Sequence, residues 1–362
     1  DDLHAEQAVG VGSNLVTRLA VTGRCEEAKA LVRAVRHAAG RAGASASRNF
    51  ELNYAKVLLN FVDTGTLPGM ASAALDGAQA LFDLAVTPRL AGDAAMQLQL
   101  VGGLFHALNV AERSAPDAER RKWKNRLERA IAPVGADSPP DLRILACHAL
   151  ANFIHTNAFR NRFEPAEADY AHLSELCHDE AGNLRWECQG IYRKATSCLA
   201  GHYADAGRTD RSEPLMVVQL EWVETCPAPT PAMLERTVLG GFSDFARSIE
   251  AWQSLNHNSH KNGKWERFNR SVAAWHRYFP QIVQTARTVG LERQVLHAIL
   301  GLLRCVRDHE ANSSAHYAAI REQALTLLRL APHDPDVADL VSKLGAAPGA
   351  LPVSPVVVPR SA

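Results

Sequence analysis

No stretch of this 362-residue chain approaches the roughly 18 consecutive apolar residues that a membrane-spanning helix requires. Net charge is missing as well. Lys plus Arg equals Asp plus Glu at 39 each, so no global field draws the chain toward nucleic acid or an anionic membrane, and a charge-driven partner must use a local patch. Strand signals are scarce. No long stretch alternates apolar with polar residues, and the Asn262-Gly263 pair lies between lysines instead of β-branched runs. Catalytic signatures are absent too: there is no CxxC pair, no GxSxG elbow, no GxxxxGK phosphate loop and no HExxH. The opening DDLHAEQAVG is acidic, unlike a signal or transit peptide, and resembles a metal-diphosphate motif only in its letters. Because the chain starts at Asp1 and not at Met, a segment cut from something longer is expected.

What is present is helical periodicity. Leu52, Ala55, Leu58, Leu59 and Val62 recur at steps of one, three and four, as do Leu142, Leu145, Ala149 and Phe153, and Leu296, Ile299, Leu302 and Leu303. Breaks are expected at Gly40 to Ser47, Gly65 to Gly69, Pro133 to Pro140, Glu164-Pro165, Pro227 to Pro231, Asn256 to Gly263, Pro280, and Pro332 to Pro335. Thr230-Pro231 and Asp334-Pro335 carry helix-start chemistry, a capping side chain followed by a residue that needs no N–H. The tail, 345–362, holds too many prolines and small residues to extend a helix and reads as extended or disordered. The seven cysteines (Cys25, Cys147, Cys177, Cys188, Cys198, Cys226 and Cys305) are odd in number, scattered and set in apolar helical patterns. They read as small buried hydrophobes of a reducing compartment, the cytoplasm, with a secreted bacterial effector as the alternative.

The segment KATSCLAGHYADAGRTDRS, Lys194 to Ser212, spaces Leu199, Ala200, Tyr203 and Gly207 as the first helix and turn of a helical hairpin. A weaker copy, NLVTRLAVTGRCEEAKALVRAV, places Leu15, Leu19, Gly23 and Ala28 at the same offsets, with Ser212 standing in the first copy where Ala28 stands in the second. A third trace, LTLLRLAPHDPDVADL, puts Leu327, Leu330 and Pro332 at a helix end. These fragments resemble tetratricopeptide repeats, in which two antiparallel helices pair within about 34 residues. Their spacing here departs from a clean repeat. Such degenerate arrays look like the helical-repeat regions attached to bacterial signalling ATPases and transcriptional regulators; a HEAT-like array is the architectural competitor. The resemblance implies an all-α solenoid of antiparallel hairpins over 1–344. It also implies a concave face on which the first helices of successive hairpins hold a peptide or protein.

Candidate binding residues follow from this. His148, Asn152 and His155, with Asn157 and Arg160 nearby, form a polar stripe at helical spacing in an otherwise apolar segment. In the copy around Gly207 the resemblance implies that Lys194, Ser197 and Asp205 face the groove. The alternative is an all-α enzyme or metal-binding protein with a site around His148/His155 and the region Cys177 to His202. There Cys177-His178, Cys188, and Cys198 with His202 bring metal-binding side chains into one stretch. Cys147-His148 is no dyad, since neighbours on a helix point about 100 degrees apart. Cys198 and His202 are expected to be packing residues, and no metal, cofactor or catalytic residue is assigned. A third reading, nucleic-acid binding through 261–277, mixes Lys261, Lys264, Arg267, Arg270 and Arg277 with Trp265, Phe268, Trp275, Tyr278 and Phe279. Against it, Trp265, Phe268, Val272 and Trp275 step as a buried stripe. ERRKWKNRLER, from Glu119 to Arg129, reads as an exposed amphipathic helix.

Overall fold

The computed structural model describes residues 2–42, 46–225 and 241–289, with isolated positions between 295 and 323. Helices account for nearly all of this, and no strand ladder occurs among the described residues; a single antiparallel bridge joins His178 to Leu184. The helices are α1 (Asp2–Val21), α2 (Cys25–Ala42), α3 (Arg48–Asp63), α4 (Ala71–Ala85), α5 (Ala94–Ser114) and α6 (Asp117–Ile131). They continue as α7 (Pro140–Phe159), α8 (Phe163–Cys177), α9 (Gln189–Asp205), α10 (Thr209–Thr225), α11 (Gly241–Lys261) and α12 (Trp265–Val289). The chain divides into two compact units, Asp1–Ala149 and Leu150–Ala362. The tail 345–362, the trace around Leu327 to Pro332, Thr230-Pro231, Cys226 and Cys305 lie outside the described residues.

In the first unit, α1 pairs with α2, α3 with α4 and α5 with α6, while α3 also packs on α1 and on α5. In the second, α9 pairs with α10 and packs on α11, which pairs with α12. Each unit is thus a run of hairpins in which the first helix of one lies beside the first helix of the next. This is the all-α solenoid build. Caps start some helices. Ser47 accepts a hydrogen bond from the Phe50 amide at 3.0 Å, and Asp93 accepts from the Ala95 and Met96 amides while also pairing with Arg48 at 2.7 Å, fixing the start of α5 to the start of α3.

One turn recurs. After α1, the Gly23 amide bonds to the Ala20 carbonyl and the Arg24 amide to the Leu19 carbonyl at 2.8 Å. After α9, Gly207 bonds to Ala204 and Arg208 to Tyr203, again at 2.8 Å for the longer loop. After α11, Gly263 bonds to His260 and Lys264 to Ser259 at 2.8 Å. After α7, Asn161 bonds to Ala158 and Arg162 to Asn157 at 2.9 Å. All four central residues have positive φ, from 56° at Asn161 to 80° at Gly23. Two orphan carbonyls are satisfied each time by this left-handed cap, which glycine adopts at no steric cost and asparagine tolerates. Counted from the cap residue, the same offsets hold Val16, Ile154 and Ala200, all fully buried, and five residues on Ala28, Ala166, Ser212 and Phe268, all buried. Leu199, Ala200 and Tyr203 pack between helices as their spacing predicts. Leu15 is partly exposed, so the N-terminal copy loses one contact.

Two expected breaks do not occur. α12 runs through Pro280, because Phe279, Ile282, Val283 and Ala286 on both sides belong to one buried cluster with Trp252, Leu255, Phe268 and Trp275. Burial of that face outweighs the roughly 3 kcal/mol that a mid-helix proline costs. α11 likewise continues through Asn256 to Lys261, with Asn256, Asn258 and Ser259 buried and only residues 262–264 turning. Pro165 sits in the first turn of α8, where its missing N–H costs nothing. Within the second core the Trp252 and Trp275 rings meet edge to face at 4.9 Å, and the buried Trp252 indole donates to Ser271 Oγ at 2.9 Å.

A candidate binding face on α7, α9 and α11

Aligning α7, α9 and α11 on their shared cap residue puts the predicted site side chains in equivalent places. His148, Lys194 and Glu250 occupy one position, Asn152, Cys198 and Ser254 the next, and Phe159, Asp205 and Lys261 the last before the turn. Equivalent residues of adjacent first helices reach one another. Lys194 Nζ lies 2.5 Å from Glu250 Oε2, and Lys261 is ion-paired with Asp205. Between these two pairs, His155 Nδ1 of α7 lies 2.9 Å from Cys198 Sγ of α9, and its ring is 5.5 Å from that of His202. Phe159, 70% exposed, meets His202 edge to face at 6.0 Å. His257 of α11 is exposed on the same side, its imidazole held below its usual pKa by burial and by Lys261 and His260, with Asp205 opposing.

Electrostatically, the middle of this face is neutral. Burial first, then the charges of His202 and Lys194, hold His155 below the ordinary imidazole range, and burial does the same to His202 against the pull of Asp205. Burial pushes the Cys198 thiol up to about 12, with Lys194 opposing. At neutral pH the group therefore consists of two uncharged imidazoles and a protonated thiol. The Asp205 carboxylate, whose charge reaches His202, is paired with Lys261.

Of the sequence-predicted residues, Asn152 and His155 are exposed on α7, and Lys194 and Asp205 flank the face on α9. His148 belongs with Phe105 to the first unit, their rings 6.4 Å apart, and is not among the face residues of the second. Ser197 corrects the expectation: it is buried, donating to Gln219 Oε1 at 2.7 Å and lying 3.3 Å from the Ala251 carbonyl, because its helical position turns it between α9, α10 and α11. Asn157 is also buried, donating to Asp169 at 2.9 Å. Phe159, Cys198, His202 and His257 are the face residues not read as such from the sequence. Equivalence to the α9 hairpin identifies them once Asn161 is taken as a cap.

The other candidates resolve differently. In 261–277, Phe268, Val272 and Trp275 are buried, Arg267 is 8% exposed and bonded to Glu213 at 2.6 Å, Lys264 pairs with the same carboxylate, and Arg270 makes a two-pronged pair with Glu224. Of the five cations that a phosphate backbone would need, Lys264, Arg267 and Arg270 are committed to acids of α10 and Lys261 to Asp205 of α9. Cys177 and Cys188 are buried, and His178 turns back to Ser174. Near it Tyr170, Tyr192 and Thr196 form a hydrogen-bonded cluster, with Tyr170 stacked on Tyr192 at 5.4 Å and its hydroxyl pushed above the usual range by burial and by Tyr192.

The fold and this face define a helical-repeat protein of the all-α class. No family model and no curated protein sequence matches the chain. Among solved structures it is similar to a circular tandem repeat protein with novel repeat topology and enhanced subunit contact surfaces. The identity is 14%, 95% of each chain is covered, and the TM-score is 0.34. No described helix is long and apolar enough to cross a membrane.

Proposed function

We propose that the chain is a scaffold or sensor module that binds a protein or peptide along the α7–α9–α11 face, and that it works by binding and not by turnover. One observation carries this reading: equivalent positions of successive first helices present a row of chemically varied, exposed or half-buried side chains, while positions at fixed offsets from each cap stay buried. Stacked hairpins suit recognition for that reason, since each touches only its neighbours and outward residues diverge without disturbing the stack. The row offers an apolar anchor at Phe159, an amide at Asn152 and imidazoles in the middle, with ion pairs at either end, which suits an extended peptide with one apolar side chain. The thiols that stay unbridged among the described cysteines support a cytoplasmic setting. Such a module serves as an adaptor within a signalling chain.

Selection from a random peptide display library, followed by fluorescence anisotropy with the selected peptide, tests this. Asn152→Ala/Phe159→Ala is expected to weaken binding at least about tenfold, or 1.4 kcal/mol, while Arg129→Ala on α6 leaves it unchanged. Equal affinity for the α7 variant and the parent chain would remove this face from consideration.

A further inference from the structure

We propose that His155, Cys198 and His202 form a binding site for a thiophilic d10 cation, zinc(II), on the α7–α9 surface. Three observations meet here. The candidate ligand atoms of all three side chains lie within 4.8 Å of one another, while a zinc ion with bonds of roughly 2.0–2.3 Å holds its ligand atoms about 3.5 Å apart, so small side-chain rotations close the set. Cys198 and His202 stand four apart on α9 and share a face of that helix, and His155 reaches over from α7 to within 2.9 Å of the sulfur, so the backbone of two packed helices holds the group together. The donor set is two imidazoles and one sulfur with no carboxylate. That composition suits zinc and disfavours magnesium and calcium, which take oxygen ligands.

Charges of both signs flank the cluster, each in a pair. Lys194, whose charge reaches His155 and Cys198, is paired with Glu250, and Asp205, whose charge reaches His202, with Lys261. An imidazole binds zinc through the lone pair of its neutral form, and a cysteine binds it as the thiolate. Binding therefore replaces the S–H bond by a Zn–S bond and releases one proton to solvent, leaving a neutral-imidazole, thiolate-bound ion of net charge +1. His155 lies at the exposed edge, which leaves a fourth position for water. The site stands independently of whether a peptide occupies the face.

The test uses the full chain, stripped with a chelator and reduced, and titrated with cobalt(II) and with zinc(II). Cobalt is expected to give a thiolate-to-metal charge-transfer band in the near ultraviolet, and Cys198→Ser is expected to lower the stoichiometry by one ion per chain. His155→Ala and His202→Ala should each weaken zinc binding at least about tenfold. Zinc calorimetry in buffers of different ionisation enthalpy should report one proton released at pH 7. Circular dichroism verifies that each variant keeps its helix content, and the two histidine variants carry the test if the serine variant does not fold. Unchanged stoichiometry in Cys198→Ser together with unchanged affinity in both histidine variants would overturn the site, leaving the His155–Cys198 contact a simple hydrogen bond.

Discussion

Gly65 needs its missing side chain, and Gly40 does not. A Cβ at Gly65 would meet Ala74 Cβ and Val110 Cγ2, both at 2.6 Å, and neither neighbour has a flexible end that could swing away. Gly65→Ala is therefore expected to cost about 1–3 kcal/mol through overpacking where α4 and α5 meet the turn after α3. At Gly40, inside α2, a Cβ meets nothing within 4 Å, and Gly40→Ala is expected to add about 0.5–1 kcal/mol by restricting the unfolded chain. Urea midpoints of the two variants, at unchanged slope, measure both; a destabilised Gly40→Ala would show that this part of α2 is not helical in solution. At this scale much was readable. The burial of Leu199, Ala200 and Tyr203 follows from their spacing alone. The burial of Ser197 did not follow, because a small polar residue is equally at home on a wet face and in a dry one that supplies Gln219 and the Ala251 carbonyl as partners.

Among the elements, α10 and α12 are joined by charge as well as by apolar packing. Glu213 of α10 holds the nearly buried Arg267 of α12 and also Lys264. Burial alone would raise the Glu213 carboxyl; the hydrogen bond and charge of Arg267, with those of Lys264, reverse that and hold it below the ordinary carboxylate range. A depressed carboxylate stabilises the fold above its unfolded pKa of about 4.5, and that stability is lost as pH falls from there through the lower folded value. Glu213→Gln should therefore lower stability at pH 7 and flatten the acid side of the stability curve below about pH 4.5. Denaturant titrations from pH 3 to 7 read this out, and an acid slope equal to that of the parent chain would show that the pair is not formed. Elements were only partly legible beforehand. The α9 turn announces itself through Gly207, but its counterpart after α7 is built on Asn161, which carries a side chain into the same left-handed region and leaves no glycine to notice. Asn256 to Gly263 reads as a break although only 262–264 turn, and Pro280 reads as a stop, because neither local rule contains the long-range core that Phe279 and Ile282 share with Trp252.

For the whole molecule, hairpins that touch only their sequence neighbours make stability local. Leu58 is fully buried in the first unit, on α3, which packs against α1, α4 and α5. Leu58→Ala is expected to cost about 2–5 kcal/mol. The loss should fall on the opening of neighbouring helices more than on distant ones. Native-state hydrogen exchange resolves it: protection should drop in α1, α3, α4 and α5 while α11 and α12 keep theirs, whereas an equal drop everywhere would mean that the chain unfolds as one. The all-helical class was visible from periodicity, and the hairpin build from the resemblance of three segments to a helical repeat. The α7–α9 contact was not, since it depends on which helices stack side by side and not on any residue's neighbours in the chain.

The two ion pairs that bracket the α9–α11 seam run in opposite senses: cation to anion from Lys194 to Glu250, anion to cation from Asp205 to Lys261. Exposed pairs like these add little energy, about 0–1 kcal/mol each, yet their order works as a key. Two α11 edges brought together side by side in the same sense would set Glu250 against Glu250 and Lys261 against Lys261, and α9 against a second α9 would do the same with Lys194 and Asp205. The seam thus discourages copies of one hairpin from substituting for its proper neighbour, so that a chain assembled from similarly capped hairpins still has one order in which they fit.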